Sequence, residues 1–226
     1  MNYFHLILTF KFKSFIICNF FHVCNNNQTY QFNSIRPNNN NKQYFSTTDK
    51  IKMFFTGIPK TMKAVVFDGT VAKVQDKIKV PFVDDGFLLI QVLAVAANPM
   101  DWKHVEFGMG PKGAILGCDV AGVVVTIGSG IPADEYKVGD NVCAFVHGGS
   151  FRKPGNGAFA QFCAVDANIT FKLPETMMLH KHTALKPGQD FIEIDEGPVD
   201  SIETAATMPV ALITAGAILV HELGVN

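Results

Sequence analysis

Apolar residues in this chain fall into short runs separated by glycine turns. Phe87 to Ala96 (FLLIQVLAVA) is nearly continuous and short enough to be a strand buried on both faces. Val120 to Ile127 is a second, β-branched run, closed by Gly128-Ser129-Gly130. Val138-Gly139-Asp140 turns into Asn141 to Val146, and Gly155-Asn156-Gly157 turns into Ala158 to Val165. Ile169 to Leu173 ends at Pro174, and shorter strands, Ala64 to Phe67 and Val71 to Val74, flank Asp68-Gly69. Many short strands with glycine turns predict an antiparallel barrel or sandwich.

Two stretches change to helical spacing. The first leaves the Phe87 strand at Asn98-Pro99-Met100-Asp101-Trp102-Lys103-His104. Asn98 can cap a helix with its side chain, Pro99 suits the first helical position, and Asp101 lies three residues after the cap. A glycine-rich turn, Gly108 to Ala114, follows and leads to Leu116-Gly117-Cys118-Asp119. The second stretch comes after a polar, irregular segment, Glu175 to Gly197. Asp200 and Glu203 have capping-box spacing for a helix from Ser201 to Met208. Pro209 then opens a helix from Val210 to Leu223, with Gly224 as its carboxyl-terminal cap and Leu212, Leu219 and Leu223 near one face.

Composition changes the picture only at the amino terminus. Half of the 20 Phe residues and most of the Asn residues precede Met62, and no acid occurs before Asp49. Phe4 to Cys24 is interrupted by Lys11, Lys13, Ser14, Asn19 and His22, and its longest clean run is far short of the roughly 20 apolar residues a spanning helix needs. Residues 1–61 are therefore expected to have no packed structure of their own. An over-extended start, an organellar presequence and a membrane-interacting segment all remain open for them. The formal net charge of -1 and the pI near 6.6 leave no basic stripe for nucleic acid. Five cysteines, three of them in predicted strands, support neither a disulfide framework nor a zinc knuckle. A reducing, cytoplasmic setting follows, with a mitochondrial one if the extension is a presequence.

Six stretches in order carry a resemblance: MKAVVF at Met62 to Phe67, NPMDWKH from Asn98, GCDVAGVVVTIGSG from Gly117, YKVGDNVCAF at Tyr136 to Phe145, NGAFAQFCAV at Asn156 to Val165, and ETAATMPVALITAG at Glu203 to Gly216. Together they resemble the medium-chain dehydrogenase/reductase superfamily, in its zinc-free branch of quinone-oxidoreductase-like and fungal trans-acting enoyl-reductase-like proteins. The resemblance implies a mainly β fold with some helix: a GroES-like, partly open barrel over residues 62–174. A linker over 175–199 and bridging helices over 200–226 would then lead into a Rossmann domain.

The same resemblance implies the chemistry: an NADP-dependent enzyme that passes hydride to an activated C=C or C=O of a small-molecule substrate. It places Asn98 and Thr214 beside the nicotinamide as catalytic candidates opening onto a common hollow. Asn98, Pro99, Asp101, Trp102, Lys103 and Thr214 become cofactor contacts, and Trp102 and His147 pocket residues. In the zinc-dependent branch a Cys takes the place of Asn98, a His that of Cys118 and a Glu that of Asp119. Two of those three positions have changed type here, so no zinc and no other metal is expected. His180 and His182, spaced by two in a predicted loop, are read as a solvated pair.

No G-x-G-x-x-G occurs in the chain. The expectation is a fragment that lacks the phosphate site and is inactive by itself, with a homodimer open to the full-length protein and no stable membrane insertion. The alternative is a non-catalytic barrel that acts by binding a partner, motivated by the apolar face of Val210 to Leu223.

Overall fold

The computed structural model describes residues 57–179 and 199–225, together with the backbone of Phe15–Cys18. Its strands are β1 (Phe15–Cys18), β2 (Thr61–Phe67), β3 (Ala72–Lys79), β4 (Phe87–Ala97), β5 (Asp119–Ile127), β6 (Asn141–Phe145), β7 (Phe162–Asp166) and β8 (Thr170–Lys172). Its helices are α1 (Pro99–Glu106), α2 (Ile202–Ala205) and α3 (Pro209–Gly216), the last continuing into a π-helical turn, Ala217–Glu222. All strand pairs are antiparallel.

The apolar run at Phe87 is the axis of a six-stranded sheet. One edge of β4 pairs with β5 along most of its length. Its other edge is shared: Phe87 to Gln91 pair with β7, and Ala94 to Ala97 pair with β1. The order continues from β5 to β6 to β8, and the sheet stays open. A two-stranded sheet, β2 with β3, lies against the loops rather than extending the larger one. Leu116 N–H donates to Val65 O at 3.0 Å, and Val65 N–H to Phe159 O at 2.8 Å.

Alternation along the strands builds a core on each face of the sheet. Leu88, Ile90, Val120, Val124, Val142 and Val165 point to one side. Ala94, Ala121 and Cys143 point to the other, where Ile202, Ala205 and Ala206 of the α2 region cover them. Small residues on that side let a short helix approach closely. Cys118, Cys143 and Cys163 are buried free thiols, as strand cysteines are expected to be.

Three details depart from the sequence reading. The strand expected at Val71 to Val74 runs on as β3 to Lys79. Its residues are mostly exposed, so an edge strand of this kind carries no apolar signal. The strand expected from Ala158 starts only at Phe162, because Ala158 and Phe159 donate instead to Gly117 and Leu116. The cap of the helix after Asp200 is Ser201, whose Oγ accepts from Thr204 N–H at 3.2 Å while Thr204 Oγ1 accepts from Ser201 N–H at 3.1 Å. A hydroxyl pair forms that capping box, and not the Asp200–Glu203 spacing.

Pairing of β1 with β4 brings four residues of the amino-terminal segment into the sheet. The rest of that segment, like His180 and His182, lies outside the described residues. The run Ile202–Glu222 is long and apolar enough to cross a bilayer by length and composition, with a mean hydropathy of 1.6. In this fold its first turn is core, and Leu212, Ile218, Leu219, Val220 and Leu223 beyond it are exposed.

Gly122 marks the tightest crossing of the sheet. A Cβ there would stand 2.1 Å from Gln91 O on β4, beside the register shift between Val92 and Ala94. The clashing atom is backbone and cannot swing away. Gly122→Ala is therefore expected to lower unfolding free energy by about 2 kcal/mol or more. Val74→Ala, on the exposed β3, should stay within about 0.5 kcal/mol. Urea denaturation of the two variants checks this.

Candidate functional site

The end of β4, the start of β5 and the start of α3 meet at one place, and Asn98 stands at its centre. Asn98 precedes α1, with Pro99 at the first helical position where no donor is needed. The expected capping box between Asn98 and Asp101 is present, and a second contact ties the corner to β5. The Asn98 backbone N–H donates to Asp101 Oδ2 at 2.7 Å, and its side-chain Nδ2 donates to Asp119 Oδ2 at 2.9 Å. The two side-chain contacts use opposite ends of the amide: its nitrogen donates to Asp119, and its oxygen faces the N–H donors of the first turn. Both nitrogens of Asn98 are thus committed to carboxylates.

Asp119 does a second job. Its Oδ1 accepts the N–H of Val210 at 2.7 Å. Val210 follows Pro209 in the first turn of α3, where N–H groups have no intrahelical acceptor. A negative group there also meets the positive end of the helix. Thr214 lies one turn further along α3 and is exposed. Asn98 and Thr214, the two catalytic candidates, are therefore referred to one carboxylate that is 2% exposed.

The remaining candidates divide by burial. Pro99 and Lys103 are exposed, and Lys103 Nζ lies 5.7 Å from the Trp102 ring centroid. Trp102 is half-buried, its ring 6.1 Å from that of the exposed Phe107. Asp101 is buried beneath α1, so any part it takes in binding passes through Asn98. His147 is exposed on the loop after β6, with its ring 6.2 Å from that of His104. His104 is buried in α1, and its Nδ1 has no hydrogen-bond partner among the described residues. Gly149 makes room for it, since a Cβ there would stand 2.9 Å from Nδ1. Met100, Phe107, Met109 and Phe151 expose apolar side chains along α1 and the two loops beside it.

Asp119 and His104 were missed as site residues in the sequence. The only signal for Asp119 was a lone carboxylate opening a β-branched strand, a costly burial unless partners come from elsewhere. Those partners lie 21 and 91 residues away.

Burial dominates the electrostatics. It pushes the Asp101 carboxyl up to about 7, opposed by the Asn98 N–H and the Cys118 thiol and helped by the Asp119 charge. Burial also raises Asp119, to about 6, against the Asn98 and Val210 donors. The Cys118 thiol is pushed far up by burial and by Asp101, and Cys143 to about 12 by burial and Asp119. His104 is lowered by burial and then by His147. Asn98 turns its Nδ2 to Asp119, and burial raises the Cys118 thiol. Among the described residues no group of three or more His, Cys, Asp or Glu is arranged to hold a metal.

Residues 84–175 match the alcohol dehydrogenase GroES-like domain family. The uncharacterized Saccharomyces cerevisiae protein YNL134C is 43% identical over 75% of this chain and 43% of its own length. The trans-enoyl reductase resD of Aspergillus sclerotiorum is 40% identical over 53% of this chain and 33% of its own. An alcohol dehydrogenase superfamily protein from Novosphingobium aromaticivorans, a solved structure, is 27% identical, with a TM-score of 0.52 over 70% of this chain and 41% of that one. The quinone oxidoreductase of Coxiella burnetii shares the fold at 22% identity and a TM-score of 0.50, over 72% of this chain and 46% of that one. The chain spans less than half the length of these relatives.

The raised Asp101 makes stability depend on pH in a stated direction. A carboxyl with a higher pKa in the fold than in the unfolded chain holds its proton more tightly when folded. Its contribution is full below the ordinary carboxylate value near 4 and is lost as pH rises towards about 7. Asp101→Asn keeps an oxygen for the Asn98 N–H and cannot ionise. It is expected to be more stable than wild type at pH 8 by roughly 1–4 kcal/mol and nearly equal at pH 4. Urea midpoints at the two pH values check this.

Proposed function

We propose that the chain, whose residues 84–175 match the alcohol dehydrogenase GroES-like domain family, is part of a medium-chain dehydrogenase/reductase and serves an NADP-dependent, zinc-independent reductase of activated double bonds. The chain supplies the substrate-side wall. The observation that carries this reading is the Asn98–Asp119–Val210 arrangement, which joins a polar corner to the helix bearing Thr214. The resemblance of the corner and of α3 to the zinc-free branch, together with a trans-enoyl reductase among the relatives, supports the substrate class.

The nicotinamide cofactor, when bound, supplies the hydride. Thr214, Lys103, Pro99 and Asn98 are the residues of this chain that would meet it, and all four have exposed or half-exposed side chains. Hydride addition at the β-carbon of an enone or enoyl group moves negative charge onto the carbonyl oxygen. A carboxamide nitrogen carries two N–H donors, and Asn98 spends one on Asp119. The second donor, with the hydroxyl of Thr214, stabilises that oxygen without a metal. Trp102, with Phe107 beside it, forms an apolar wall against the carbon chain. His147, exposed on the loop after β6, returns a proton to the α-carbon.

The apolar stripe of Leu212, Ile218, Leu219, Val220 and Leu223 supports packing of α3 against further protein, which in this reading is the nucleotide-binding domain. The preference for NADP over NAD rests on the habit of the zinc-free branch.

Oxidation of NADPH by enals, quinones and aldehydes tests the reading, using this chain and a form extended to the length of its relatives. The extended form is expected to turn over enals, and Asn98→Ala to lower kcat about 100-fold. Turnover in neither form, or an Asn98→Ala variant with full kcat, would contradict it.

A further inference from the structure

Asn98 is held at two atoms by two carboxylates, yet only one of them reaches out of the corner. Asp101 Oδ2 binds the Asn98 backbone, three residues away on the same turn. Asp119 comes from another strand and binds three elements together. Its own backbone is fixed on both sides, opposite Ala96 on β4 and Phe145 on β6. Its Oδ2 takes the Asn98 side chain, and its Oδ1 takes the first-turn N–H of α3.

We propose that Asp119 is the positioning residue of this site: its carboxylate fixes which edge of the Asn98 amide faces the reactants and sets the axial placement of the helix that carries Thr214. The proposal rests on the reductase reading for its purpose but not for its geometry. Three features carry it. First, the two contacts use both oxygens, so neither group can shift without unsettling the other. Second, an Asn amide has a donor end and an acceptor end, and it turns over easily when both ends see equal partners. Here the carboxylate accepts only, so it admits only the nitrogen end. Third, Pro209 removes one first-turn donor of α3, leaving Val210 as a natural handle on that end of the helix.

The groups facing Asp119 leave it as the charged member of the set. Asn98 and the α3 amino terminus are neutral donors. The Cys118 and Cys143 thiols are held protonated by burial, and Asp101 lies close enough to feel its charge. A neutral isostere cannot replace it: the Asp119→Asn side chain would offer one oxygen to two donors and would let the Asn98 amide turn over. Glu keeps the charge and both oxygens at the cost of one extra methylene.

The test is amide NMR of the whole 226-residue chain in wild-type, Asp119→Asn and Asp119→Glu forms. In Asp119→Asn, hydrogen exchange at the Val210 amide and at the Asn98 side-chain amide should quicken together by about 10-fold or more, while the Val124 amide in the sheet core stays unchanged. Asp119→Glu should recover most of the protection at both. Unchanged exchange at either group in a folded Asp119→Asn chain overturns the proposal. So does equal quickening at Val124, which would mark a merely structural loss.

Should Asp119→Asn fail to fold, the wild-type chain still decides. On acidification the Asn98 Nδ2 and Val210 N resonances should move with one common midpoint, and separate midpoints or no movement would refute a shared carboxylate. Where turnover is measurable, Asp119→Asn should lower kcat about 100-fold with KM little changed, and Asp119→Glu should recover it. A wild-type chain without turnover in any form would count against the reductase reading, while the amide result would stand or fall separately.

Discussion

A carboxylate buried to 2% exposure inside an apolar sheet is unfavourable unless each oxygen finds a donor, and this requirement organises the site. Asp119 begins a strand whose next residues are Val, Ala, Gly and Val. Nothing on β5 can satisfy it. The donors come from the corner after β4 and from the first turn of α3, so meeting the need of one side chain brings together segments far apart in the chain. The rest of the arrangement follows from the sheet. The small residues Ala94, Ala121 and Cys143 open one face of it to α2, and α3 follows α2 to the end of β5 that carries Asp119.

The position of the corner is equally determined by packing. Asp101 and His104 lie on the buried side of α1, while Pro99, Lys103 and Phe107 lie outside. Gly149 allows the loop after β6 to close over His104, and a Cβ on Gly148 would stand 2.2 Å from Gly117 O. Two glycines thus let the His147 loop lie flat on the strand entry at Gly117. The outcome is a polar corner backed by buried carboxyls and fringed by Met100, Met109 and Phe151. In the proposed reading this surface meets a ligand with an apolar body and one oxygen to be held.

The sequence made the sheet legible where strands are buried on both faces. β4, β5 and β6 show as apolar runs, β5 largely β-branched, because most of their positions meet the core. It hid β3, whose exposed edge residues look like a loop, and it misplaced the start of β7, where backbone donors turn to Leu116 and Gly117 instead of a ladder. The corner was legible as a helix entry, because Pro99 and Asp101 announce it locally. Its actual lock was not, since no local spacing links Asp119 to Asn98 or Val210. In the sequence, Asp119 stands beside Cys118 where the zinc-dependent branch has a Glu. Folded, it is a hydrogen-bond acceptor for two neutral groups.

The most direct measure of this account is the coupling between Asn98 and Asp119. Unfolding free energies of wild type, Asn98→Ala, Asp119→Ala and the double variant give it as a double-mutant cycle at neutral pH. A side-chain hydrogen bond to a buried charged group predicts a coupling of about 1.5–3 kcal/mol. Additivity of the two substitutions to within about 0.5 kcal/mol would contradict the claim that this carboxylate holds the corner in place.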